Sequence, residues 1–246
     1  MKSALVTGAS RRAGIAAAVA RALAAEGWRL TLTGWASHDA REGWSSEPEE
    51  LASELEAVWH EDDLADPDAP ARVFDLAGSV DALVNVHAHS ESGGLLEATP
   101  EQLDRHYAVN ARGTSLLCAE FARRLGRIVN FTSGPPLAGE LAYAASKGAL
   151  EWITLSVAAE LAPRGITVNA VDPGPTDAGW TSQELRERIE SAMPLGRLGL
   201  PEDSAALVAF LCSSEGGWIT GQVIHCDGGW SFARTLRFGR EPWSGR

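Results

Sequence analysis

Lysine is almost missing from the chain: Lys2 and Lys147 are the only two, and arginine carries the rest of the positive charge. Tyrosine is as scarce, with Tyr107 and Tyr143 alone. The three cysteines, Cys118, Cys212 and Cys226, are odd in number and widely spaced, with no Cys-x-x-Cys, which excludes a disulfide framework and a zinc site. No metal is expected, and a reducing compartment follows. No uncharged apolar run approaches the roughly 20 residues of a membrane-spanning helix. Arg11 and Arg12 interrupt the only N-terminal run that imitates a signal peptide, so none is expected. Basic clusters no longer than Arg123-Arg124 and a net charge of −12 argue against a nucleic-acid partner. A soluble cytoplasmic protein is the expectation.

What is present is a regular alternation of short apolar runs with helical patterns over 246 residues, without repeat or linker. Strands are predicted at 4–6, 30–33, 58–60, 82–86, 127–131, 166–171 and 222–225. Helices are predicted at 15–26, 49–57, 67–76, 100–124, 139–161 and 201–211, with a long polar loop at 35–48. Several strands are apolar on both faces, the mark of a parallel sheet covered on both sides and hence of a doubly wound α/β fold. Such sheets bind ligands at the carboxyl ends of their strands.

The first strand runs into Thr7-Gly8-Ala9-Ser10-Arg11-Arg12-Ala13-Gly14-Ile15-Ala16. Gly8 permits a tight turn, and Gly14 with Ala16 lets backbone approach a pyrophosphate at a helix N-terminus. An NAD site usually carries an acid at the end of the second strand. Here Thr33-Gly34-Trp35 has none before Asp39, while Arg11, Arg12, Ser37 and His38 suit a 2′-phosphate. NADP(H) is therefore preferred, with NAD(H) as the alternative. Tyr143 and Lys147 stand four apart on a predicted helix and so share a face. Chance places such a pair in about one chain of this composition in sixty. An ammonium beside a phenol lowers its pKa and makes it a general acid/base near neutral pH.

These elements together resemble the short-chain dehydrogenases/reductases, from Thr7 to about Trp230. The likeness rests on the Thr7-Gly8…Gly14 turn, Asp63-Leu64, Asn110, Ser133, Tyr143-Ala-Ala-Ser-Lys147, Asp172-Pro173-Gly174-Pro175-Thr176 and Ile219-Thr220-Gly221-Gln222…Asp227-Gly228-Gly229. It implies one Rossmann-type dinucleotide-binding domain of about seven strands over 1–246, with a C-terminal extension at 231–246. Tyr143 is implied as the acid/base and Lys147 as its tuner and ribose ligand. Ser133 is implied at the substrate oxygen, and Asn110 as the holder of a proton-passing water. Asp63 would accept from the adenine amino group beside Leu64, and Thr176 would touch the nicotinamide carboxamide. Ser10, Ile15, Trp35, Asn85, Pro173 and Gly174 are also implied against the cofactor.

The chain departs from the pattern in four places. The turn carries an insertion, most simply Arg12-Ala13, and ends in Ala16. Enoyl reductases share a longer turn but space tyrosine and lysine by seven, whereas here the spacing is four. The segment after the fourth strand reads Asn85-Val86-His87-Ala88, and His87 and His89 there are read as loop histidines with backbone partners, ahead of a substrate or acid–base role. The Ser133–Tyr143 interval is about three residues short. Residues 177–200 are expected to form a substrate lid. The tail at 231–246 is expected either to cross to a neighbouring subunit or to be disordered. The resemblance extends to 3-oxoacyl-carrier-protein reductases through Gly139-Glu140-Leu141-Ala142-Tyr143 and Pro173-Gly174-Pro175-Thr176-Asp177, and implies NADPH-dependent reduction of a ketone or β-ketoacyl-type carbonyl, in a homotetramer or homodimer. An NAD-dependent alcohol dehydrogenase and a non-catalytic nucleotide sensor or scaffold are the rivals.

Overall fold

A computed structural model describes residues 1–134 and 138–236. Seven parallel strands form one sheet in the order β3-β2-β1-β4-β5-β6-β7. They are β1 (Ser3–Thr7), β2 (Arg29–Gly34), β3 (Val58–Glu61), β4 (Ala82–Asn85), β5 (Arg127–Phe131), β6 (Thr167–Asp172) and β7 (Val223–His225). The helices are α1 (Ile15–Ala25), α2 (Ala36–Arg41), α3 (Pro48–Glu54), α4 (Ala69–Ala77), α5 (Pro100–His106), α6 (Thr114–Phe121), α7 (Leu141–Leu161), α8 (Gln183–Glu190), α9 (Pro201–Cys212) and α10 (Trp230–Leu236). Chain order reverses between β1 and β4, and the crevice there opens at the strands' carboxyl ends. No helix among the described residues is long and apolar enough to cross a membrane.

Alternation along each strand splits the core in two. Val6, Val84, Val129 and Val171 face α1 and α9, where Ala16, Ala17, Ala20 and Leu23 are fully or nearly buried. The small residues of α1 let it approach the sheet closely. Leu5, Leu83, Ile128 and Val168 face the other way, onto Val73, Leu117, Phe121 and Leu161 of α4, α6 and α7. Strands buried on both faces explain the near-continuous apolar runs of the sequence.

Two expectations are corrected. The polar segment after β2 contains α2, because the Trp35 carbonyl accepts from the N–H groups of His38 (3.0 Å) and Asp39 (3.2 Å) while the Trp35 and His38 rings stack. The single helix expected over 100–124 is divided: a π-helical segment, Tyr107–Gly113, separates α5 from α6. The extra residue of that wider turn carries Asn110, fully buried, toward the crevice. Of the tail, 231–236 belong to α10, and 237–246 lie outside the described residues, as do Pro135, Pro136 and Leu137 of the shortened loop.

Candidate active site

β1 delivers its chain into the turn at Gly8, whose φ is +77°. A Cβ there would lie 2.7 Å from the His87 nitrogen and 2.8 Å from its Cα, so only glycine fits. Gly14 precedes α1 with no side-chain cap, leaving the first N–H groups of the helix available to an anion. These features border a cavity of about 310 Å³ lined by Gly8, Ser10, Arg11, Gly14 and Ile15 from the turn, and by Gly34, Trp35, Asp63 and Leu64 from across it. The Arg11 guanidinium lies over the Trp44 ring at 4.8 Å and donates to the Ala178 carbonyl at 2.8 Å, while its Nε is buried without a partner. The glycine cradle, the open helix terminus and the unpartnered Arg11 Nε fit a dinucleotide phosphate.

Arg12 and Asn85 are among the candidates that do not line this cavity. Arg12 is paired with Glu54 at 2.6 Å. Glu54 is also gripped by Arg21, and these contacts hold its carboxyl down at about 2. Asn85 shares the face of Leu83, away from the crevice, and donates to Asn130 at 2.9 Å. Its position as the last residue of β4 concealed which side it takes. Asp63 is in the cavity, but Arg105 holds it through two 3.0 Å hydrogen bonds, and the Arg105 guanidinium rests 4.6 Å over Trp35. Arg105 was missed, as were the cavity-lining Val109, Trp44 and Ala178. No local signal marked Arg105, because its partner Asp63 lies 42 residues away.

The second group gathers on α7. Tyr143 is half-buried and Lys147 is 2% exposed. Burial pushes the Tyr143 phenol up to about 12, opposed by a hydrogen bond from Ser133 and reinforced by the charges of Glu140 and Asp172. Burial alone pushes Lys147 down to about 8. The expected lowering of the phenol by Lys147 is not seen. The ammonium is turned to the Phe131 carbonyl at 2.7 Å and lies 5.9 Å from the tyrosine ring centre. Ser133 is the hydroxyl that reaches Tyr143; the adjacent Thr132 donates instead to the Lys147 carbonyl, at 3.2 Å.

Asn110 has its side chain engaged on three sides. It accepts from the His89 N–H at 2.7 Å and donates to the His89 carbonyl and to Ser146, each at 2.9 Å. It thereby ties the segment after β4 to α7. His87 is buried between the Thr7 hydroxyl (2.6 Å) and the Val109 carbonyl (3.2 Å). The carbonyl can only accept, so Nε2 carries the proton and Thr7 donates to Nδ1. Burial pushes His87 down to about 3 and His89 to about 4. Both are neutral walls of the crevice, and His87 has the backbone partner expected of it. Pro173, Gly174 and Thr176 follow β6 and are not among the cavity's lining residues. Thr176 is buried and donates to the Pro173 carbonyl at 3.2 Å, and Gly174 (φ +59°) packs on Asp227. Asp172, His225 and Asp227 place potential ligand atoms within 4.8 Å of one another. Each carboxylate oxygen already accepts a hydrogen bond, from Gly174, His225, Gly229 or Ser231, so the group ties the β6 and β7 termini together.

Comparison with known proteins identifies the family and the fold. A family model described as Enoyl-(Acyl carrier protein) reductase matches residues 8–231. An "Uncharacterized oxidoreductase YjdA" of Bacillus subtilis (strain 168) is 45% identical over 243 residues, covering 93% of this chain and 96% of that one. A short-chain dehydrogenase/reductase from Serratia marcescens superposes with a TM-score of 0.82 at 35% identity, over 94% of this chain and 98% of that one. The angucycline C-6 ketoreductase LanV with bound NADP gives 0.84 at 33% identity, over 94% and 96%. The chain belongs to the short-chain dehydrogenase/reductase family and is an oxidoreductase of that family.

Proposed function

We propose that the protein reduces a ketone or β-ketoacyl-type carbonyl to an alcohol, with NADPH as the preferred cofactor. The observation that carries this reading is Tyr143 one turn from the buried Lys147 on α7, beside a turn suited to a phosphate. The nicotinamide supplies the hydride. Tyr143 gives its proton to the substrate oxygen, and a phenol pushed up to about 12 holds that proton at neutral pH. Ser133 donates to the same oxygen as charge develops on it. Lys147 and Arg11 hold the cofactor's hydroxyl and phosphate groups. Asn110 acts by fixing the segment at His89.

Ketone reduction is favoured over enoyl reduction by the four-residue spacing of Tyr143 and Lys147, and by the ketoreductase whose fold this chain shares. Arg11, with its unpartnered Nε, supports the choice of NADPH. Three free cysteines suit the reducing cytoplasm. The test is titration with NADPH and NADH, followed by quenching of the nine tryptophans, and then turnover on a ketone panel. Binding at micromolar NADPH with oxidation on a ketone is the expected result. Binding without turnover on any carbonyl would favour a nucleotide sensor, and no binding would remove the oxidoreductase reading of the cleft.

A further inference from the structure

β6 ends in a buried acid. Asp172 is 1% exposed, and the period-two alternation of the strand puts it on the face of Val168, the side that packs on α7. Opposite it in the ladder stands His225, the last residue of β7. One Asp172 oxygen accepts from the Gly174 N–H at 3.0 Å and the other from His225 Nδ1 at 2.8 Å. A carboxylate only accepts, so Nδ1 carries the proton. Among the described residues no lysine or arginine pairs with this carboxylate. The oxygen that His225 holds also lies under Gly134: a Cβ on Gly134 would stand 2.8 Å from it, so the backbone there rests on the carboxylate. Gly134 follows Ser133, and before Ser133 the Thr132 N–H is bound to the Val171 carbonyl at 2.9 Å. Ser133 is thus carried between two contacts with the end of β6, and from there it reaches Tyr143. Burial, and after it the charges of Glu140 and Asp172, raises the Tyr143 phenol. The other titratable groups nearby are Lys147, whose ammonium is turned to Phe131, and, on the side of His225, Cys226 and Asp227.

We infer that Asp172, held by His225, is a positioning residue of the active site: it seats the backbone that carries Ser133 and sets a fixed negative charge near the Tyr143 phenol. This role rests on the reading of Tyr143 as the proton donor. Both carboxylate oxygens are bound, so the group cannot turn aside and Gly134 has a fixed seat. A negative charge disfavours the phenolate, so the proton stays on Tyr143 until the substrate oxygen takes it. The same charge opposes the reverse reaction, in which a phenolate takes a proton from an alcohol.

The experiment compares Asp172→Asn, Asp172→Ala and His225→Leu with the wild type. Tyr107 and Tyr143 are the only phenols, so in a Tyr107→Phe background phenolate absorbance reports Tyr143 alone, with circular dichroism at each pH confirming the fold. Asp172→Asn removes the charge but keeps polar atoms for Gly174 and His225. Its Tyr143 titration midpoint should fall by at least about half a pH unit. His225→Leu unties the carboxylate and keeps its charge, so its midpoint should not fall. Asp172→Ala should lose about tenfold or more in kcat on a ketone, with Kd for NADPH within about twofold, and Asp172→Asn should recover most of that loss. If Asp172→Ala does not fold, His225→Leu supplies the kcat reading. An unmoved midpoint in Asp172→Asn overturns the inference, and so does an equal fall in His225→Leu. Wild-type kcat in the untied variants would overturn it as well. A wild type that reduces no carbonyl would instead sink the proton-donor reading, whatever the titration gives.

Discussion

Tyr143 and Lys147 are moved in opposite directions by one cause, the loss of water around them. Desolvation disfavours the charged form, so the phenol rises to about 12 and the ammonium falls to about 8. The consequence for reduction is a limb in the pH profile. Above about pH 8, Lys147 loses the charge that holds the cofactor, while Tyr143 keeps its proton. We expect kcat/KM for ketone reduction to fall through that pH; a profile flat to pH 10 would contradict it. Tyr143→Phe removes the proton donor and leaves the cleft intact. It should lower kcat by about 10²–10⁴-fold with NADPH binding unchanged. His87 carries a stability prediction. Its folded pKa of about 3 lies below its ordinary 6.5, so the unfolded chain binds the additional proton between those values. Stability is full above pH 6.5 and is lost as pH falls toward 3, by about 1.4 kcal/mol per pH unit from this one group. His87→Asn keeps an acceptor for Thr7, and its urea midpoint should fall less between pH 7 and 4.5 than that of the wild type.

Elements are where the sequence was most legible, and the reason is periodicity. Strands buried on both faces and helices with one apolar side repeat in alternation, so the order of β1 to β7 and the placement of α1, α7 and α9 could be read directly. Tyr143 and Lys147 were legible because a regular helix fixes their relation. Four features were not, each for want of a local signal. The π-helical turn at 107–113 adds a residue without breaking the apolar pattern. α2 depends on Trp35, His38 and a tie from Ser10, 29 residues away from Asp39. Arg105 reaches Asp63 across 42 residues, and Arg12 turns to Glu54 across the same interval. The turn at Gly8 was legible and is also the element most sensitive to change. Gly8→Ala combines a positive φ with a Cβ 2.7 Å from backbone of the β4 loop. It should cost about 2–4 kcal/mol in denaturant unfolding and abolish NADPH quenching. Wild-type binding by a stable Gly8→Ala protein would show that the phosphate does not lie on this turn.

At the scale of the whole molecule, the helix that carries the chemistry also carries an unburied apolar face. Trp152 is 73% exposed on α7, with Leu155 at 36%, and the adjoining α5 and π-helical segment present Leu103 and Tyr107. A bare indole among such neighbours is covered when a second copy packs there. We propose this face as the contact of a homodimer or homotetramer. Lys147 and Tyr143 lie about one and a half and two and a half turns from Trp152, so the contact would stiffen the same helix from outside that Asn110 and Ser146 brace from within. Assembly and catalysis would then share a scaffold. Light scattering should give two or four times 26.1 kDa for the wild type. Trp152→Glu, which sets a like charge on each side of the contact, should give a single-chain mass and a lower Tm. It should also reduce kcat with little change in Kd for NADPH, because α7 holds Tyr143 whereas the turn at Gly8 holds the phosphates. A wild-type mass of 26.1 kDa would refute the contact, and an assembled Trp152→Glu protein would move it to another face.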